Sequence, residues 1–279
     1  MDSDLVARQD AILSLSKDSG LELRIGHLYP RLMNLYGDRG NLICLERRAR
    51  WRGIAVTITE LEIGDPLDPE AFDLLFIGGA QDKEQRLVAH DLREVKGAAL
   101  KAGVEKGLVV LAICGGFQLL GRYYRPAQGE DLMGLGILDV WTEHPGGATD
   151  RCIGNIALDW EGKTLVGFEN HGGRTYLGPD ARPLGQVIYG YGNNAQDGSE
   201  GAVYQNCFGS YLHGSFLPKN PEFADHLLGL ALARRYGPVE MAPLNDRLER
   251  EAKETALRQA RAEASARRPW LRRVLHRSG

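Results

Sequence analysis

The sequence predicts an α/β protein: a doubly wound, mostly parallel sheet flanked by helices, with antiparallel additions in the second half and a C-terminal helical tail. Two observations favour this fold class. Before Arg125, short apolar or β-branched runs alternate with helical patterns, as in a parallel sheet. After Arg125, short strand patterns alternate with Gly/Asn/Asp turns, which favours an antiparallel or mixed extension of the sheet.

The first half of the chain supplies the strands of the predicted parallel sheet. They are Leu21–His27, Ile54–Thr59, Phe72–Ile77 and Val109–Ile113. The helices between them are predicted from an N-cap at Asp38 to Gly53, over about Glu84–Glu105, and directly after Cys114.

The second half supplies shorter strands and a closing helix. The predicted strands are Ile153–Leu158, Thr164–Phe168, Gln186–Tyr189, Ala202–Gln205 and Phe208–His213, and the closing helix is Pro221–Tyr236. We divide the chain into a leader (residues 1–20), a central domain (21–240) and a helical, Arg-rich tail (241–279). The tail is read as a solvated helix end, or as a segment that contacts anionic lipid.

Composition narrows the class of protein. The 279 residues carry a net charge of −3, which gives no sign of general nucleic-acid binding. The four cysteines have no C-x-x-C spacing, no metal site is predicted, and no apolar run reaches the ~18 residues of a membrane span. The N-terminus lacks the pattern of a secretory signal. We expect a reduced, cytoplasmic protein.

Cys114 is the candidate nucleophile. It follows the apolar run Val109–Ile113 and precedes Gly115-Gly116 and a helix, so a sharp turn presents its sulfur at a helix N-terminus. There the helix dipole and unpaired N–H groups favour the thiolate. Backbone N–H groups around Gly79 and at Gly115 are candidate donors to an oxyanion, provided that their strands are neighbours.

A cysteine nucleophile needs a base, and two of the seven histidines compete for that role. His213 ends a strand and precedes a glycine, matching the turn that presents Cys114. His171, in Glu169-Asn-His-Gly-Gly-Arg174, also ends a predicted strand. The residues alone favour His213 and leave His171 open.

Several stretches together resemble one known family. They are Leu28–Asn41, Phe76–Gln85, Cys114–Gly121, Phe168–Leu177, Gly190–Asn194 and Tyr211–Gly214. Their order resembles the class I (triad-type) glutamine amidotransferases, in the cobyric-acid-synthase-like branch. The resemblance implies that Cys114 forms a thioester with glutamine and that His213 moves protons. It also implies that Arg151 holds the substrate, and that Gly79, Gly115 and Gln118 line its pocket.

The chain departs from the wider class at one position. Typical members carry His-Pro-Glu, whereas Gly214 follows His213 here, so the sequence does not identify the group that orients the imidazole. A smaller departure is Ala80, where a third glycine is expected.

The resemblance also implies a partner, because this chain has no P-loop for ATP. The implied partner is a MurT-like Mur ligase subunit, which would form a heterodimer with this chain and hold ATP, Mg²⁺ and lipid II. This chain would need no cofactor of its own and would supply ammonia from L-glutamine. The alternatives are an amidotransferase of a cobyric-acid-type pathway, a DJ-1/PfpI-like cysteine hydrolase and a non-catalytic interaction subunit.

Overall fold

A computed structural model describes residues 20–147, 151–213 and 216–275, with side chains as far as residue 266. The predicted leader lies outside the described residues except for Gly20, and so do the side chains of the arginine-rich end of the tail. None of the described helices is long and apolar enough to cross a bilayer.

A six-stranded sheet forms the centre of the molecule, in the order β13-β14-β4-β3-β1-β2. Its strands are β1 (Glu22–Leu28), β2 (Ala55–Leu61), β3 (Leu74–Ile77), β4 (Val109–Ile113), β13 (Ala202–Tyr204) and β14 (Cys207–Ser210). All neighbours pair in parallel except β13 and β14, which form a hairpin at one edge. Every residue of β3, β4 and β14 is buried, as expected for strands covered on both faces.

Helices connect these strands as the alternating pattern predicts. They are α1 (Arg39–Arg50), α2 (Asp82–Asp91), α3 (Gly97–Glu105), α4 (Gly115–Leu120), α5 (Pro221–Tyr236) and α6 (Arg247–Leu275). The single helix predicted over Glu84–Glu105 is interrupted by a π-helical turn, Leu92–Lys96, between α2 and α3. Buried Lys96 ends that turn and pairs with Asp91 at 2.5 Å, so the wider turn places a charged pair in the interior.

The short strands of the second half build two further sheets. One is antiparallel, in the order β12-β11-β8-β9, and the other is mixed, in the order β10-β7-β5-β6. Their strands are β5 (Tyr123–Arg125), β6 (Leu132–Met133), β7 (Val140–Glu143), β8 (Cys152–Trp160), β9 (Lys163–His171), β10 (Arg174–Leu177), β11 (Gly185–Tyr189) and β12 (Ser199–Glu200). The predicted extension of the central sheet is therefore confined to the β13–β14 hairpin.

The first part of α6 packs on the antiparallel sheet. Ala256 and Ala260 are buried against Ala157 of β8 and Val166 of β9, where small side chains allow the helix to approach closely. Glu263 accepts hydrogen bonds from the backbone N–H and the side-chain amide of Asn155. The described part of the tail is thus an integral helix of the fold.

Candidate functional site

The backbone at Cys114 has the strained turn that a nucleophile elbow requires. Its φ of 50° and ψ of −104° lie outside the regions that a non-glycine residue ordinarily adopts. β4 ends at Ile113 and α4 begins at Gly115, so the residue joins strand to helix as the sequence predicts. The Cys114 side chain is 7% exposed and lines a cavity at the carboxyl edge of the central sheet.

His213 lies beside this cysteine because β14 is the neighbour of β4. The His213 ring is fully buried, and its Nδ1 lies 3.1 Å from Oδ1 of Asp38, which is also fully buried. A carboxylate accepts only, so Nδ1 carries the hydrogen and Nε2 is left for the sulfur. Burial alone would lower the pKa of His213. The charges and hydrogen bonds of Cys114 and Asp38 outweigh that effect and raise the pKa to about 10.

Asp38 is the group that orients His213, and the sequence suggested another role for it. Although it occupies the N-cap position of α1, its carboxylate makes no capping hydrogen bond. Instead Oδ2 accepts the N–H of Gly79 at 2.8 Å while Oδ1 faces His213. The carboxylate takes the place of the glutamate missing after His213, from a different part of the chain.

Gly79 allows the three side chains to converge. A Cβ on this residue would lie 2.8 Å from Cε1 of His213, 3.1 Å from Oδ2 of Asp38 and 3.4 Å from Cβ of Cys114. A side chain here would therefore displace the imidazole. Because the Gly79 N–H is already bonded to Asp38, the nearby amides of Ala80 and Gly115 are the remaining candidates for donors to an oxyanion. A Cβ on Gly115 would lie 2.9 Å from the Ala80 nitrogen.

His171 lines the same cavity but has a different environment. Its Nδ1 lies 2.8 Å from the carbonyl oxygen of Gly173, and its ring stacks on Tyr211 with centroids 3.7 Å apart. Burial lowers the pKa of His171 to about 3, an effect that the Gly173 carbonyl only partly offsets. The ring therefore stays neutral near pH 7, with its hydrogen on Nδ1.

Arg151, the predicted substrate clamp, is exposed and lines the cavity. Its Nε and Nη2 donate to the side-chain and backbone oxygens of Asn170, which orients the guanidinium. The Asn170 amide donates in turn to the hydroxyl of Tyr36. The rings of Tyr36 and His213 pack edge to face, with their centroids 4.9 Å apart. A continuous chain of contacts thus links Arg151 to His213.

Gln118 also lines the cavity, deeper than Arg151. Its Oε1 accepts from Gln85 and its Nε2 donates to Tyr211, so the amide is fixed in a buried polar chain. The structure therefore brings Cys114, Arg151 and Gln118 to one cavity. His213 and Gly115 are not among the described residues that line it; both lie beside Cys114, with Gly79 directly behind the imidazole. Three residues that the sequence did not single out for the site are Asp38, Tyr36 and His144.

The chain is similar to curated proteins over most of its length. It is 42% identical over 247 residues to the lipid II isoglutaminyl synthase (glutamine-hydrolyzing) subunit GatD of Staphylococcus aureus (strain N315), covering 88% of this chain and 99% of that protein. GatD of Streptococcus pneumoniae (strain ATCC BAA-255 / R6) is also 42% identical, over 86% and 94% of the two chains. The cobyric acid synthase of Pelotomaculum thermopropionicum is 34% identical over 77% of this chain, but only 41% of that protein is covered.

The fold is shared with a solved structure, and the sequence matches a family model. The structure of PurLQS from Thermotoga maritima superposes with a TM-score of 0.52 over 77% of this chain and 95% of that one, at 17% identity. The model of the CobB/CobQ-like glutamine amidotransferase domain matches residues 24–221, which is more than half of the sequence. Together with the strained cysteine and its histidine, this match places the chain in the CobB/CobQ-like glutamine amidotransferase family.

Proposed function

We propose that this chain is the glutaminase subunit of a lipid II isoglutaminyl synthase. It hydrolyses L-glutamine and delivers ammonia to a MurT-like, ATP-dependent ligase, which converts the α-carboxylate of D-glutamate in lipid II to the amide of D-isoglutamine. The observation that carries the proposal is that His213, paired with Asp38, lies beside Cys114, which lines a cavity that also holds the guanidinium of Arg151.

Cys114 performs the first half of the reaction. Its sulfur attacks the side-chain amide carbon of glutamine, and the developing oxyanion is stabilised by the N–H groups of Ala80 and Gly115. The His213 imidazolium, held by Asp38, donates its Nε2 proton to the departing nitrogen. The carbon–nitrogen bond breaks, leaving ammonia and a γ-glutamyl thioester on Cys114.

Water completes the turnover. The now neutral His213 takes a proton from a water molecule that attacks the thioester, and the carbon–sulfur bond breaks. Glutamate leaves, and Cys114 and protonated His213 are restored as a pair. Arg151 binds the α-carboxylate of the substrate throughout, since two of its nitrogens are fixed by Asn170 while the guanidinium faces the cavity.

The ligase chemistry belongs to the partner. Both GatD relatives carry "subunit" in their names, and they match this chain along nearly their whole length. The sequence has no P-loop, and an amidation that starts from a carboxylate requires activation by a nucleotide. A heterodimer in which the partner binds ATP, Mg²⁺ and lipid II accounts for both observations, and both subunits would work in the cytoplasm.

The proposal predicts that glutaminase activity is lost when the sulfur of Cys114 is removed. We expect the native protein, purified with any ligase subunit that accompanies it, to release glutamate from L-glutamine. Cys114→Ala should abolish that release, because no other described residue that lines the cavity carries a thiol. Cys44→Ala, at a half-buried cysteine on α1, is the matched control and should retain activity.

The alternative hydrolase makes the opposite prediction. Cleavage of peptides without any release of glutamate, in the presence of the co-purified subunit, would favour a DJ-1/PfpI-like hydrolase and refute the glutaminase. Glutaminase activity alongside a partner that does not amidate lipid II would keep the chemistry of Cys114 and refute the acceptor.

A further inference from the structure

The cavity beside Cys114 carries two opposite charges at its rim. Its volume is about 240 Å³, small beside the ~300–1,000 Å³ of sites for drug-sized ligands, so it suits a ligand of amino-acid size. Among the described residues that line it, Asp82 is the carboxylate and Arg151 the guanidinium. A lining of this kind is complementary to a zwitterion.

On the positive side, a second donor stands next to Arg151. The position of a Cβ on Gly172 would be 2.8 Å from Nε2 of His144 and 3.3 Å from Nη1 of Arg151. Nη1 is the guanidinium nitrogen that Asn170 does not engage, since Nε and Nη2 make those bonds. Both nitrogens therefore lie close to the backbone of Gly172, on the side where another residue would carry its Cβ.

The hydrogen bonding of His144 identifies which of its nitrogens is the donor. Nδ1 accepts the backbone N–H of Gly146 at 3.1 Å, so the hydrogen of the neutral ring is on Nε2. Nε2 is also the nitrogen that lies beside Gly172, as Nη1 of Arg151 does. A carboxylate that reached both nitrogens would accept a hydrogen bond from each, as charge-assisted hydrogen bonds favour.

On the negative side, Asp82 is held in position by a neighbouring phenol. The hydroxyl of Tyr124 donates to Oδ1 of Asp82 at 2.8 Å. Tyr124 also lines the cavity, and burial together with the charge of Asp82 raises its pKa well above the ordinary value, so it remains a donor. The second carboxylate oxygen, Oδ2, is left for a cationic group of the ligand.

We propose that the cavity recognises both α-substituents of its amino-acid substrate: His144 Nε2–H and Arg151 bind the α-carboxylate above Gly172, and Asp82 binds the α-ammonium. This inference rests on the proposed glutaminase function and adds two specificity-determining residues to it. The arrangement selects free L-glutamine over glutamine within a peptide, in which neither end is charged.

Substrates that lack one end test the two assignments separately. His144→Ala should lower kcat/KM for L-glutamine about 10- to 100-fold, the value of a hydrogen bond to a charged group, and should leave hydrolysis of 4-aminobutanamide, which has no carboxylate, unchanged. Asp82→Asn should lower kcat/KM for L-glutamine by a similar factor and spare glutaramate, which has no ammonium. His90→Ala and Asp180→Asn, at exposed sites, are the matched controls.

Equal losses of kcat/KM on the intact and the truncated substrate would indicate a merely structural role and overturn the assignment for that residue. No loss with L-glutamine would overturn it as well.

Calorimetry of L-glutamine binding to Cys114→Ala separates this inference from the proposed function, because binding does not depend on turnover. Binding that weakens with His144→Ala or Asp82→Asn, in a protein whose wild type releases no glutamate, would support the recognition and refute the glutaminase. Undiminished binding of L-glutamine to both double variants, Cys114→Ala with His144→Ala and Cys114→Ala with Asp82→Asn, would refute the proposed recognition and leave the glutaminase function standing.

Discussion

Two buried histidines near Cys114 have pKa values that are shifted in opposite directions. His213 follows β14 of the central sheet and its backbone also bridges to Phe168 of β9, whereas His171 is the last residue of β9 in the antiparallel sheet. The rings are 0% and 2% exposed, so burial lowers the pKa of both. Yet the pKa of His213 is raised to about 10 and that of His171 falls to about 3.

The groups around each ring account for the difference. The sulfur of Cys114 and the carboxylate of Asp38 both stabilise an imidazolium at His213, whereas His171 faces the neutral carbonyl of Gly173. Arg174, His213 and Arg151 add positive charge near His171 and lower its pKa further. The ring that follows β14 is therefore held charged, whereas the ring that ends β9 stays neutral near pH 7.

The largest expected effect tests the difference between His213 and His171 directly. His213→Asn should lower kcat for glutamine hydrolysis by about 10²- to 10⁴-fold, the usual contribution of a general acid–base. His171→Asn should lower kcat by less than about tenfold, because a neutral, buried ring does not carry the proton. Steady-state glutamate release from the two variants decides between them.

A control is needed because both rings are buried. Thermal unfolding of each variant should show a folded protein at the assay temperature. If His171→Asn proved as inactive as His213→Asn while folded, the division of roles between the two sheets would be wrong.

A smaller effect sharpens the role of Asp38. Asp38→Asn keeps the size of the side chain and can still accept the Gly79 N–H, but it offers no charge to His213. We expect kcat to fall about 10- to 100-fold, the value of a hydrogen bond between charged groups. The pKa of His213 should fall as well, since the carboxylate is one of the groups that raise it.

The pH dependence gives a readout that a structural defect would not mimic. In the wild type the imidazolium persists up to a pH of about 10, so the ring signals of His213 in an NMR pH titration should stay constant across neutral pH. In Asp38→Asn the imidazolium is lost at lower pH, so the same signals should change at a lower pH than in the wild type. An unchanged profile would show that Asp38 does not act through His213. Asp180→Asn, at an exposed carboxylate, is the control.

Asp38 also marks where reasoning from the sequence ends. Local patterns predicted the elbow, because a buried strand, a cysteine and two glycines are adjacent in the chain. They likewise predicted β8, β9 and α5 to within a few residues. Asp38 lies 175 residues from His213, and its local pattern indicates a helix cap, whereas the fold directs its carboxylate to the site.

The shortest strands were missed for a different reason. β5, β6 and β7 have two to four residues each, too few for a period of two to be distinguished from a loop. They pair with one another and with β10, so long-range contacts rather than local propensity define them. His144 directly follows β7, which is why its place in the cavity could not be anticipated from the sequence.

The smallest expected effect concerns how the antiparallel sheet is held in place. Glu263 of α6 accepts two hydrogen bonds from Asn155 of β8, the strand that pairs with the one ending at His171. Glu263→Gln replaces one acceptor by a donor, so we expect a loss of about 1–2 kcal/mol in the free energy of unfolding, measured with urea. Glu254→Gln, exposed on the same helix, should change it by less than about 0.5 kcal/mol. Because Asn155 belongs to the antiparallel sheet, whose strand β9 ends at His171, kcat should stay within about twofold of the wild type while KM for glutamine rises. A fall in kcat with KM unchanged would mean that α6 supports the Cys114–His213 pair instead, and the functional separation of the two sheets would not hold.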